Sequence, residues 1–142
     1  MIRIAGKTRS CEKYPYIGEY FFKDEYWFAV LFIRPSASDP EETEGLKNGG
    51  WYNNIFDFYT LEGAVALQKF IKSWEGGKLV VAITELPFKC PVAPLEFVFL
   101  ADWWFTEQGI RDKVDIEFVT PLPGAFTKPI ASKFLGQFLE RK

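Results

Sequence analysis

Leu79-Val80-Val81-Ala82-Ile83 is a continuous apolar run rich in β-branched residues, set between Gly76-Gly77 and a proline-bearing stretch that begins at Thr84. A strand with no polar alternation has to be buried on both faces, a condition met inside a parallel sheet covered by helices. The neighbouring patterns agree with that placement. Upstream, Thr60 can cap a helix whose apolar positions Leu61, Ala64, Val65, Leu67, Ile71 and Trp74 fall near helical spacing and stop at Gly76-Gly77. Downstream, Leu95 to Gln108 predicts a helix that is apolar nearly all round, hence buried, and ends at Gly109. Val114-Asp-Ile-Glu-Phe-Val119 alternates as a strand and is stopped by Thr120-Pro-Leu-Pro-Gly124. Pro129 to Leu139 predicts a last helix with Ile130, Phe134 and Phe138 on one stripe, although Gly136 inside it costs about 1 kcal/mol relative to Ala. Helix, strand, helix, strand, helix is a βαβ unit with flanking helices, for which a right-handed crossover is the rule. The expected fold is α/β, a partial doubly wound parallel sheet with a Rossmann-like βαβ unit.

The first part of the chain is patterned less sharply. Tyr26 to Ile33 is apolar and aromatic and predicts a strand ending at Pro35. Pro35-Ser-Ala-Ser-Asp-Pro-Glu-Glu-Thr-Glu-Gly45 is an acidic, proline-punctuated loop, and Asn48-Gly49-Gly50 marks a further turn. Residues 1–38 therefore form an aromatic-rich N-terminal segment, and 39–142 carry the α/β pattern. Glu41, Glu42 and Glu44 read as a solvated acidic loop, because no second cluster completes a cation site.

Composition removes several functions. The chain has 142 residues, 48% of them apolar, enough for one packed core. Lys and Arg number 17 against 19 Asp and Glu, spread along the chain, so no basic stripe offers phosphate neutralisation and nucleic acid is not an expected partner. No run approaches the roughly 20 apolar residues of a membrane span and the start lacks a signal-peptide core, so the expected location is cytoplasmic. Histidine is absent, which excludes Ser-His-Asp and Cys-His catalysis and His-ligated metals together. Cys11 and Cys90 are too few for a disulfide scaffold or a Cys-rich zinc site, and no metal is expected.

What chemistry remains centres on the turn between the strand at 79–83 and the next helix. Dinucleotide folds place a Gly-x-Gly-x-x-Gly there so that the backbone can approach a pyrophosphate. Here the turn reads Thr84-Glu-Leu-Pro-Phe-Lys-Cys90-Pro-Val-Ala-Pro94, with no glycine and three prolines that lack N–H donors. The next strand ends in Val119-Thr120-Pro121 without an acid for a ribose hydroxyl, so NAD(P)H is not expected at this crossover. The turn offers Cys90 instead, beside Lys89 and near the positive end of a helix dipole, neighbours that favour a thiolate nucleophile. A buried, inert cysteine is the alternative from the residues alone.

Lys89-Cys90-Pro91-Val92-Ala93-Pro94-Leu95-Glu96 resembles the Cys-Pro-x-Ala-Pro-x-Glu segment of sulfide:quinone oxidoreductases, which belong to the FAD-dependent pyridine nucleotide-disulfide oxidoreductases. The likeness runs from about Asp39 to the C-terminus. It takes in Asp57-Phe-Tyr-Thr-Leu-Glu62, Glu75-Gly-Gly-Lys-Leu-Val-Val81, the Cys90 loop, Gly109-Ile-Arg-Asp-Lys-Val114 and Val119-Thr120-Pro121. The resemblance implies that Cys90 lies by a flavin ring, receives sulfide sulfur and works with a second cysteine, electrons passing through FAD to quinone. It implies that Lys89, Pro91 and Pro94 form a flavin-proximal loop and that Glu96 influences proton transfer at Cys90. As the first acid of a helix, Glu96 is equally well explained by the dipole. Quinone and a peripheral membrane contact enter as partners only through this resemblance.

The departures are as specific as the likeness. The family's first strand and its Gly-x-Gly-x-x-Gly have no counterpart between Met1 and Arg34, and Phe32-Ile-Arg-Pro-Ser-Ala-Ser38 stands where the family has an Ala-Thr-Gly turn against the cofactor. The sequence stops before the family's third segment with its partner cysteine, and Cys11 lies in unmatched sequence. The expectation is a truncated central segment with Cys90 as inherited redox thiol, inactive by itself and not retaining FAD. Apolar surface left by missing neighbours should drive homo-oligomerisation, with Trp27, Trp51, Trp103 and Trp104 as interface candidates. A non-catalytic binding or assembly module on the same scaffold is the competing reading. A stand-alone thiol redox protein comes last, since Cys90 has no Cys-x-x-Cys partner and no histidine base.

Overall fold

A computed structural model describes residues 2–5, 28–33, 50–83 and 90–141. In chain order the elements are β1 (Ile2–Ala5), β2 (Phe28–Ile33), β3 (Ile55–Asp57), α1 (Leu61–Ser73), β4 (Gly77–Ile83), α2 (Ala93–Glu107), a 3₁₀ turn (Arg111–Lys113), β5 (Val114–Val119) and α3 (Pro129–Arg141). All five strands are parallel, in the order β1-β5-β4-β2-β3. The α/β class and the parallel βαβ unit are as the patterns require.

Local chemistry sets the element ends. Thr60 caps α1, its hydroxyl accepting from the Gly63 amide at 3.0 Å, with Glu62 in the first turn and Lys72 in the last, each at the end the helix dipole favours. The helix stops at Ser73, short of Gly76-Gly77, and Gly77 already belongs to β4. Gly76, at φ 143°, lets the backbone turn hard against the 3₁₀ segment; a Cβ there would lie 2.8 Å from the Lys113 Cβ and 2.9 Å from its carbonyl oxygen. Pro94 sits in the first turn of α2, where a missing N–H costs nothing.

The core lies where α1 and α2 meet one face of the sheet. Leu79, Val81 and Ile83 of β4 and Val114, Ile116 and Phe118 of β5 form a single buried cluster with Leu67, Trp74, Leu95, Val98 and Phe105 from the helices. Ring contacts tie it together, Phe56 to Phe70 at 5.0 Å and Trp74 edge-on to Phe105 at 5.4 Å. Val80 and Ala82 point to the opposite face and are also buried, which is why the β4 run is apolar throughout.

Two expectations need correction. The helix α2 is not buried all round: Glu96, Leu100, Trp103 and Glu107 are exposed, because α2 packs on a single sheet face and nothing described lies over its outer side. Strand β5 does not alternate cleanly either. Glu117 is buried, and the Lys78 ammonium reaching across from β4 to 3.5 Å makes that tolerable. The acidic loop, Trp27 and Cys11 lie outside the described residues.

Candidate functional site

The strand order places one crevice. From β2 the next strand, β3, lies on one side, whereas β4 lies on the other, so the C-terminal ends of β2 and β4 flank a reversal of strand order. Open α/β sheets hold ligands at such a point, beyond the carboxyl ends of the strands. Strands β3 and β4 both run out towards this edge, so the segment that follows β3 (Phe58, Tyr59, Thr60) and the residues that lead into α2 (Cys90, Pro91, Val92) share it.

Of the residues singled out in the sequence, Cys90 is a free, half-buried thiol just ahead of α2. Pro91 is exposed, Pro94 is buried in the first turn, and Lys89 lies outside the described residues. Glu96 is exposed on the first turn, and among the described residues no hydrogen bond joins it to Cys90. Trp51 is half-buried and stacks on Tyr52 at 4.9 Å, Trp103 is exposed, and Trp104 is half-buried. Among the described residues no group of three or more Asp, Glu, Cys or His side chains is placed to hold a metal.

Tyr59 is the residue that pattern reading missed. Its hydroxyl is buried and, among the described residues, has no hydrogen-bond partner. Burial pushes its phenol ionisation up, and the charge of Cys90 adds to the rise, so the two side chains lie within electrostatic reach of each other. An aromatic ladder fixes this side of the crevice: Tyr59 packs on Phe58 at 4.9 Å, and Phe58 stacks on Phe97 of α2 at 5.5 Å. The only sequence signal was that Asp57 to Glu62 falls within the family-like stretch.

The two helix N-termini at this edge test whether the residues suit a dinucleotide cofactor. At α1 the buried Asp57 carboxylate accepts from the Tyr59 amide at 2.9 Å, the Thr60 amide at 2.7 Å and the Thr60 hydroxyl at 3.0 Å, and the Tyr52 hydroxyl adds a longer contact at 3.3 Å. A carboxylate of the chain's own thus sits where an anion would. At α2 the cap is Val92, which gives no side-chain bond, and Pro91 and Pro94 remove donors. Neither of these two helix ends fits the pyrophosphate of FAD.

Among the described residues no helix is long and apolar enough to cross a membrane. No protein-family profile and no solved structure matches the chain. Curated proteins do. The mitochondrial sulfide:quinone oxidoreductase of Mus musculus is 28% identical over 88 residues, 62% of this chain and 20% of that protein. The mitochondrial sulfide:quinone oxidoreductase of Dictyostelium discoideum is 33% identical over 81 residues, 55% of this chain and 18% of that protein. The chain is therefore similar to sulfide:quinone oxidoreductases over a stretch that spans about a fifth of their length.

Proposed function

We propose that this chain carries the thiol-bearing segment of a sulfide:quinone oxidoreductase-like flavoprotein, with Cys90 as its sulfur-accepting redox thiol. The observation that carries the reading is the position of Cys90, a free half-buried thiol at the strand-order reversal, within a chain similar to enzymes of that name. FAD comes to this reading from the family alone, and the glycine-free, proline-bearing turn around Cys90 supports the expectation that the isolated chain does not keep it. Quinone and a membrane surface likewise belong to the family's reaction.

Sulfur transfer to the thiol tests the reading. A thiolate attacks a sulfur–sulfur bond of inorganic polysulfide, forming a Cys–S–S linkage while the shortened polysulfide leaves with the electron pair. Mass spectrometry after polysulfide treatment should find the sulfur adduct on Cys90 well before Cys11. Equal modification of both cysteines, or none on Cys90, would sink the proposal. A visible spectrum of the purified chain with added FAD completes the test: flavin bands that stay with the protein would overturn the expectation that it is not retained.

A second reading, a homo-oligomeric assembly module without catalysis, is favoured by one observation. Ile130, Phe134 and Phe138 lie on one side of α3 and are exposed at 89%, 60% and 40%. A monomeric mass at micromolar concentration would remove it.

A further inference from the structure

We propose that two copies of this chain pair across the helical layer, α2 of one copy lying on α3 of the other. The inference rests on the second reading above, the homo-oligomeric one, and names the surface that the α3 stripe meets.

The open apolar side chains of α2 and α3 share one side of the molecule. Helix α2 packs on β4 and β5, and α3 packs on β1, which lies beyond β5, so the two are neighbours in one layer over one core. Along α2, the exposed residues Glu96, Leu100, Trp103 and Glu107 recur at helical spacing and form one outward stripe, with Leu100 60% and Trp103 56% exposed. Together with Ile130, Phe134 and Phe138 of α3 they leave roughly 600 Å² of apolar surface on each copy, taking about 200 Å² for a large side chain. That is the upper end for a patch on a monomer, and most of the roughly 800 Å² that each partner gives to a stable complex. The α3 stripe alone supplies a little under half of that requirement, so two α3 helices facing each other fall short and α2 is needed.

Charge selects the same pairing. Helix α2 carries the acids Glu96, Asp102 and Glu107 and no base, and Glu96 and Glu107 bound its outward stripe. Helix α3 exposes Lys133 and Arg141 against the single acid Glu140, with Lys128 just ahead of it. Two α2 stripes face to face would set acid on acid, and two α3 helices base on base. Helix α2 against α3 sets acid beside base at both contacts of a two-fold pair.

The test is sedimentation of the full chain at micromolar concentration with the charges of one helix reversed at a time. Glu96→Lys with Glu107→Lys should raise the dimer dissociation constant at least about tenfold, and so should Lys133→Glu with Arg141→Glu, since each puts like charges on both contacts. Mixed in equal amounts, the two reversed chains should recover the dimer, because each then meets the opposite sign. A dimer unmoved by the α2 reversal overturns the α2–α3 pairing and leaves the α3 stripe as the interface, whereas a monomeric wild type overturns both. Trp103→Ser examines the same contact without charge and covers reversed chains that do not fold: it should sediment lighter than the wild type, and an unchanged mass overturns the proposal.

Discussion

The buried Asp102 of α2 and the half-buried Arg111 of the 3₁₀ turn form an ion pair, guanidinium Nε to carboxylate Oδ1 at 2.6 Å, while Nη1 of the same guanidinium donates to the Val114 carbonyl at 2.6 Å. One side chain thus joins the helix, the turn and the first residue of β5, and holds the crossover that sets α2 beside the sheet. Arg111→Ala takes the guanidinium from the buried Asp102 carboxylate and the donor from the Val114 carbonyl, and should cost about 1–3 kcal/mol in urea unfolding. Arg111→Lys should recover only part of this, because an ammonium lacks the planar fork. A loss below about 1 kcal/mol for the alanine variant would mean that solvent reaches the carboxylate.

Gly63 leaves no room for a side chain. A Cβ there would lie 2.4 Å from the Asp57 Oδ2 and 2.6 Å from its carbonyl oxygen. Gly63→Ala should therefore push apart the capped start of α1 and the end of β3, at about 2 kcal/mol or more in thermal melts. Ala is ordinarily the better helix former, so a stabilised variant would show that the approach can relax.

Alkaline pH should weaken the fold through Tyr59. Its folded-state ionisation lies above the ordinary tyrosine value of 10.0, raised first by burial and then by the Cys90 charge. Between those two values the unfolded chain loses the proton while the folded chain keeps it, so the contribution is intact below pH 10 and is lost as pH climbs towards the folded value. Chemical unfolding as a function of pH should show a shallower decline above that point in Tyr59→Phe. Identical slopes would place the hydroxyl in solvent.

The two sides of α3 should behave oppositely. Leu139 is fully buried, and Leu139→Ala should cost 2–5 kcal/mol, within the range of large-to-small core changes. Ile130→Ser and Phe134→Ser fall on the exposed stripe and should change monomer stability by no more than about 0.5 kcal/mol. If copies of the chain pair through that stripe, sedimentation should find the two serine variants lighter than the wild type while Leu139→Ala keeps its partner.

Much of the fold was legible because burial leaves a period. The β4 run, the capped start of α1 at Thr60 and strand β5 at Val114–Val119 stand where the patterns put them. The short β3, Ile55–Asp57, was not legible, since three residues carry no alternation. The four residues of β1 pair with β5 from the far end of the chain, and local sequence holds no trace of such a partner. Glu117 breaks the alternation expected of Val114–Val119 because the pattern cannot see Lys78 on the neighbouring strand. At the candidate site Cys90 stood out by its residue type and its prolines, whereas Tyr59 looked like one aromatic among many.

By itself the sequence determined the α/β class and the exclusion of histidine chemistry, both consequences of residue type and local spacing. Tertiary structure decided which side chains meet. Parallel strands bring their C-terminal ends to one edge whatever the distance along the chain, and so Tyr59 after β3 and Cys90 ahead of α2 stand at the same edge of the sheet. It also decided which apolar surface stays open, because helices on one sheet face bury only their inner sides and leave Trp103 and Phe134 outward.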